Sequence, residues 1–251
     1  MVHRFQVTIP QLTGDATRRG YVYLPDYYDA DPTRRFPVMY MFDGHNVFFD
    51  SDATYGKSWG MGKYLDKARK DLIVVAIECN HEGNRRLSEY SPVSFQDSHF
   101  GSIKGQGKIY MDWLVKAMKP IIDRRLRTLP DREHTLICGS SMGGLMALYA
   151  GTVYNQYFSR AACLSPSLWV APAKMLALVA KANYTPDTAI FLSYGQNEMG
   201  NHPGNRVAIS SAAAQLYAKG VNLTLRIVRD AYHCEAAWEQ EVPIFMDSLG
   251  L

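Results

Sequence analysis

Apolar positions along the chain fall into two kinds of short run. Residues 5–9 and 19–24 alternate apolar with polar, the period-two pattern of half-buried antiparallel strands, and Thr13, Gly14 and Asp15 between them read as a turn. Residues 37–42 (PVMYMF) and 72–77 (LIVVAI) are almost continuously apolar, as strands buried on both faces are. Residues 135–138, 158–164, 189–194 and 223–228 complete the strand set. Helical segments lie between them at 61–69, 108–126, 142–153, 171–181, 206–219 and 235–249. The helix over 108–126 turns Ile109, Trp113, Met118, Ile121 and Ile122 toward a core, and Gly220 stops the helix before it.

Strands alternating with helices predict an α/β fold with a mostly parallel central sheet and helices on both faces. No repeat, low-complexity tract or linker divides the chain, so a single domain over 1–251 is expected. Residues 80–107 break the pattern: they are polar and aromatic, with little periodicity. They follow a central strand and so emerge at the carboxyl edge of the sheet, where open α/β sheets bind ligands. A long segment there is expected to be an active-site loop.

Composition narrows the function classes. The hydrophobic fraction is 47% and the charged fraction 20%, ordinary for a globular protein. A net charge of +3 with scattered basic pairs excludes nucleic acid as the expected partner. No apolar run approaches the ~20 residues that span a bilayer. The N-terminus lacks an apolar signal core, so a cytoplasmic location is expected unless a leader has been removed. The four cysteines, Cys79, Cys138, Cys163 and Cys234, form no CxxC pair and no Cys/His set with zinc spacing, so no metal or other cofactor is expected. Cys138 and Cys163 sit in strands as small hydrophobes; a Cys79–Cys234 disulfide stays open. Oligomeric state is not set by any of these features.

The chemistry concentrates in the GSSMGG run from Gly139 to Gly144. Its Gly-x-Ser-x-Gly core lies between an apolar strand and an Ala/Leu/Met-rich helix, the strand–turn–helix context of a nucleophile elbow. Gly139 and Gly143 leave room for the backbone crossing, and the helix N-terminus faces Ser141. A base must then follow Ser141 in the chain. Of the seven histidines, only His202 and His233 do so, and His233 is favoured because it lies between the last strand and the last helix. Glu198 is the carboxylate on the loop after strand 189–194; Asp187 precedes that strand, and Asp230 shares a connection with His233. A dyad of Ser141 and His233 without an acid stays open. Oxyanion donors are expected from the N–H of Met142 and from Gly44 or His45 in the loop after strand 37–42.

These residues resemble the esterase D and enterochelin-esterase branch of the α/β hydrolases. That branch includes feruloyl and acetyl-xylan esterases, S-formylglutathione hydrolase and mycolyltransferases. The resemblance runs over nearly the whole chain. It rests on YMFDGHNVF (Tyr40 to Phe48), EYSP (Glu89 to Pro92), GSSMGG, LSPSLW (Leu164 to Trp169) and HCEAAW (His233 to Trp238). It implies a triad of Ser141, Glu198 and His233 acting on a carboxylic ester through an acyl-enzyme. Many relatives carry Asp where Glu198 stands. The implied partner is a small-molecule ester, with Trp59, Arg85, Arg86 and Trp169 in segments expected at the site mouth. Acyl transfer on the same fold and a non-catalytic ligand-binding relative are the alternatives.

Overall fold

The computed structural model describes residues 1–198, 202 and 204–251. Its main sheet has eight strands: β1 (Val2–Thr8), β2 (Thr17–Tyr23), β3 (Val38–Met41), β4 (Ile73–Ile77), β7 (Thr135–Ser140), β8 (Arg160–Leu164), β9 (Ala189–Gly195) and β10 (Asn222–Val228). A separate hairpin pairs β5 (Phe95–Asp97) with β6 (Gly101–Ile103). The spatial order of the main sheet is β1-β2-β4-β3-β7-β8-β9-β10. Only the β1–β2 and β2–β4 pairs run antiparallel, so the sheet is mostly parallel, and this is the α/β-hydrolase fold. The burial pattern separates the two strand types as the sequence pattern implies. β3 and β4 are buried at every position, whereas β1 at the edge is not.

Two cores flank the sheet. One packs Tyr40, Val75, Ile137 and Ile190 under α4 (Gly107–Trp113), α5 (Lys119–Arg125), α6 (Met142–Val153), α7 (Pro172–Lys181) and α8 (Gly204–Ala218). The other packs Met39, Val74, Leu136 and Phe191 under α2 (Met61–Ala68) and α9 (Glu235–Ser248). Alternate residues of one strand thus serve opposite cores, which is why these strands read as continuous apolar runs.

Three local outcomes depart from the pattern. The turn expected at Thr13, Gly14 and Asp15 includes a helical turn, α1 (Pro10–Thr13), capped by Gly14 at φ 57°. The helix expected over 108–126 contains a π turn at Leu114–Met118, where the Lys119 N–H donates to the Leu114 carbonyl. Pro120 sits just beyond; it has no N–H to give the preceding turn, and a π turn absorbs that missing bond. The 80–107 segment is not structureless: it contains α3 (Arg85–Glu89) and the β5–β6 hairpin. Among the described residues, no helix is long and apolar enough to cross a membrane. All four cysteines are free, so Cys79 and Cys234 form no disulfide.

Candidate active site

Ser141 sits between β7 and α6 with φ 58° and ψ −123°, a conformation that non-glycine residues rarely adopt. Such strain persists only where the surroundings hold it. Here the Ser141 N–H donates to the Leu164 carbonyl at 3.0 Å, and its own carbonyl accepts from Leu145 and Ser167. The neighbouring glycines are fixed by space rather than by φ. A Cβ on Gly139 would lie 2.5 Å from the Gly143 carbonyl carbon, and one on Gly143 would lie 2.9 Å from the Phe42 Cβ. Gly144, which the motif reading passed over, is equally constrained, because a Cβ there would lie 2.5 Å from the Leu164 carbonyl oxygen.

A continuous hydrogen-bond chain runs from this serine. The Ser141 Oγ is 2.9 Å from His233 Nε2. His233 Nδ1 bonds Glu198 Oε2, and the Glu198 side chain has no solvent exposure. The other carboxylate oxygen, Oε1, accepts from the Ser165 hydroxyl at 2.8 Å and from the Gly195 N–H. Ser165 in turn accepts from the indole N–H of Trp238 at 2.9 Å. Trp238 also meets the His233 ring edge-on, with centroids 5.0 Å apart. The imidazole is therefore oriented by a hydrogen bond on one side and an indole on the other. The two loops carrying Glu198 and His233 are locked together, since the Asn197 N–H donates to the Ala231 carbonyl and a Cβ on Gly195 would lie 2.4 Å from that same oxygen.

The other carboxylates considered for this role lie elsewhere. Asp187 pairs with Arg132 at the far edge of the sheet. Asp230 is exposed beside Arg229. His202 stacks on Trp169, with centroids 4.0 Å apart.

The loop after β3 forms the facing wall. The left-handed residue there is Asp43, at φ 54°, rather than the glycine beside it. Gly44 serves close approach: a Cβ would lie 2.8 Å from the Ala76 backbone of β4. Asp43 is buried, and burial alone would push its carboxyl up. The Arg86 guanidinium outweighs that with bonds of 2.7 and 2.8 Å and holds the carboxyl below the usual carboxylate range. The N–H groups of Gly44 and His45 make no backbone hydrogen bond among the described residues, and that of Met142 opens α6, where it has no partner within the helix. Asn46 ties the wall to the base loop: its amide donates to Glu235 Oε1 at 3.1 Å, and its carbonyl oxygen accepts from the Thr54 N–H. Burial raises the Glu235 carboxyl pKa.

Between these walls lies a pocket of about 410 Å³, onto which Ser141, His233, Glu235, His45, His81 and Arg86 open. Its place for the four expected mouth residues differs from one to the next. Arg86 lines the pocket, but its guanidinium is bound to Asp43. Arg85 points away, exposed and paired with Glu82 at 3.2 Å. Trp59 is only 3% exposed and packs on Trp238 and Phe245 beneath the base loop. Burying an indole is worth more than leaving it at a mouth, about 1.5–3 kcal/mol for a large apolar side chain. Trp169 lies outside the pocket lining, among Phe95, Phe100 and His202.

One group of metal-capable side chains falls outside what cysteine and histidine spacing can show. His45, Cys79 and His81 bring ligand atoms within 4.8 Å of one another on the pocket wall. They come from two different loops, so no linear spacing could reveal them. Ser165, Glu235 and the Asp43–Arg86 pair were likewise not picked out by sequence, although Ser165 and Glu235 fall within quoted motif segments.

Comparison with known proteins gives a consistent result. Residues 13–243 match the family described as "Putative esterase". A protein of Bacillus subtilis (strain 168), "Uncharacterized protein YbbA", is 26% identical over 185 residues, which is 72% of this chain and 69% of that protein. Among solved structures, an IroE-like serine hydrolase from Shewanella oneidensis superposes with a TM-score of 0.75 at 19% identity, covering 99% of this chain and 78% of the other. The "Enterobactin and Salmochelin Hydrolase IroE" superposes with a TM-score of 0.69 at 21% identity, covering 100% and 95%.

Proposed function

The chain belongs to the "Putative esterase" family and is an esterase, and from that premise we propose that it hydrolyses a small-molecule carboxylic ester through a covalent acyl-enzyme on Ser141. The observation that carries this reading is the unbroken chain from Ser141 Oγ through His233 to the buried carboxylate of Glu198. His233 Nε2 takes the hydroxyl proton as Oγ attacks the ester carbonyl. The backbone N–H groups of Met142 and of His45 or Gly44 stabilise the negative oxygen that develops. The C–O bond to the alcohol breaks, and His233 returns the proton to the departing oxygen. Water then adds to the acyl carbon with His233 as base, and the acid leaves with Ser141 restored. Glu198 fixes the tautomer that leaves Nε2 facing Ser141 and stabilises the imidazolium.

The oxyanion donors and the triad differ in what supports them. The donors rest on backbone placement, the triad on direct side-chain bonds. A pocket of about 410 Å³ suits a small ester or one end of a larger one. Several neighbours are named for enterobactin or ferulic acid esters, so aryl esters of that kind belong in the substrate panel beside simple alkyl esters. The test is labelling with a fluorophosphonate probe, which requires an activated serine, followed by mapping of the labelled peptide. Label on Ser141 with loss of ester hydrolysis is expected. Label elsewhere, or hydrolysis that survives full labelling, overturns the proposal.

A further inference from the structure

We propose that His45, Cys79 and His81 form a binding site for a borderline-soft divalent transition ion, Zn²⁺ above all, in the wall of the pocket opposite His233. The ligand atoms already lie within 4.8 Å of one another. Tetrahedral zinc with Zn–N near 2.0 Å and Zn–S near 2.3 Å needs ligand-to-ligand separations of about 3.3–3.5 Å. The remaining closure falls on the residue best able to move. His81 is exposed, and its ring meets His45 edge-on, centroids 4.5 Å apart.

The second observation is an unsatisfied atom. His45 is 5% exposed, and its Nδ1 is buried with no hydrogen-bond partner among the described residues. A buried polar nitrogen without a partner costs about 1–3 kcal/mol, so such atoms in native proteins call for an explanation. An ion bound at Nδ1 explains this one.

Cys79 sets the opposing term. Its thiol is buried, and a metal binds the thiolate rather than the thiol. Binding must therefore break the S–H bond, form the metal–sulfur bond and release the proton to solvent. One thiolate and two imidazoles make a donor set suited to Zn²⁺ and unsuited to Mg²⁺ or Ca²⁺, which take oxygen. Three protein ligands leave the fourth position to water on the pocket side.

The test uses the metal-stripped full chain, titrated with Zn²⁺ in competition with a chromophoric chelator. One equivalent per chain is expected. His81→Ala and Cys79→Ser should each weaken binding by at least about tenfold, since even an outer-shell partner's removal costs that much. Loading with Co²⁺ should give a near-ultraviolet thiolate-to-cobalt band that Cys79→Ser abolishes. His81 is exposed, so its variant tests the site without disturbing the core even if Cys79→Ser does not fold. No uptake by the wild-type chain, unchanged uptake in His81→Ala, or a cobalt complex without the thiolate band overturns the proposal. None of these outcomes bears on Ser141, whose role is tested separately.

Discussion

Ser141 keeps its strained backbone through bonds made by its N–H and carbonyl, not by its hydroxyl. Ser141→Ala should therefore fold and melt like the wild type while hydrolysis of an activated ester falls by at least ~10³-fold. Near-normal turnover in the folded variant would remove the nucleophile from the scheme. Glu198 calls for a graded outcome. Its two oxygens receive three donors, from His233, Ser165 and Gly195. In Glu198→Gln one of those donors must face an amide NH₂, and the imidazolium loses its counter-charge. The loss should fall mainly on kcat and be roughly 100-fold less severe than that of Ser141→Ala. Asp230→Asn is the control, because Asp230 is exposed and, among the described residues, pairs with its neighbour Arg229 alone. Steady-state kinetics on both variants decides it: a neutral Glu198→Gln would leave a dyad of Ser141 and His233.

At the scale of elements, the turn from β7 into α6 is the most tightly constrained junction. Backbone atoms, which cannot rotate aside, crowd Gly139 and Gly144. Gly144→Ala should cost about 1–3 kcal/mol as overpacking against the Leu164 carbonyl, read as a lowered denaturation midpoint. A variant as stable as the wild type would mean that β8 gives way. This junction was legible in the sequence because strand, turn and helix are contiguous there, and local pattern carries local structure. The same holds for β3 and β4, whose unbroken apolar runs match burial on both faces. The π turn at Leu114–Met118 was not legible, since its buried residues Leu114, Val115 and Met118 keep the three- and four-residue spacing that an α-helix also shows. Trp59 misled for another reason. Its segment follows the loop at the site, and segment position says nothing about which way a large apolar side chain turns.

At the scale of the molecule, what escaped the sequence is pairing between loops distant in the chain. Asp43 and Arg86 belong to different loops, and no periodicity links them, yet their ion pair joins the wall that carries Gly44 and His45 to α3. Arg86 is about a third exposed (31%) while Asp43 is 7% exposed, so removing the carboxylate charge should cost about 2–4 kcal/mol at neutral pH, toward the lower end of the range for a broken buried pair. The pH dependence follows from the direction of the Asp43 shift. Its folded pKa lies below the ordinary value of about 3.9. A depressed carboxyl pKa contributes stability that is fully present above that ordinary value and is lost as pH falls through the folded pKa. Asp43→Asn mimics the protonated carboxyl and has no such loss. Other acids titrate in the same range, so the quantity to follow is the difference in unfolding free energy between wild type and Asp43→Asn. That difference should be flat from neutral pH down to about pH 5 and then shrink, approaching zero once Asp43 is protonated in both states. Urea titrations of both proteins at a series of pH values measure it. A difference that stays constant or widens into acid would show that Asp43 acts through its shape and hydrogen bonds rather than through its charge on Arg86.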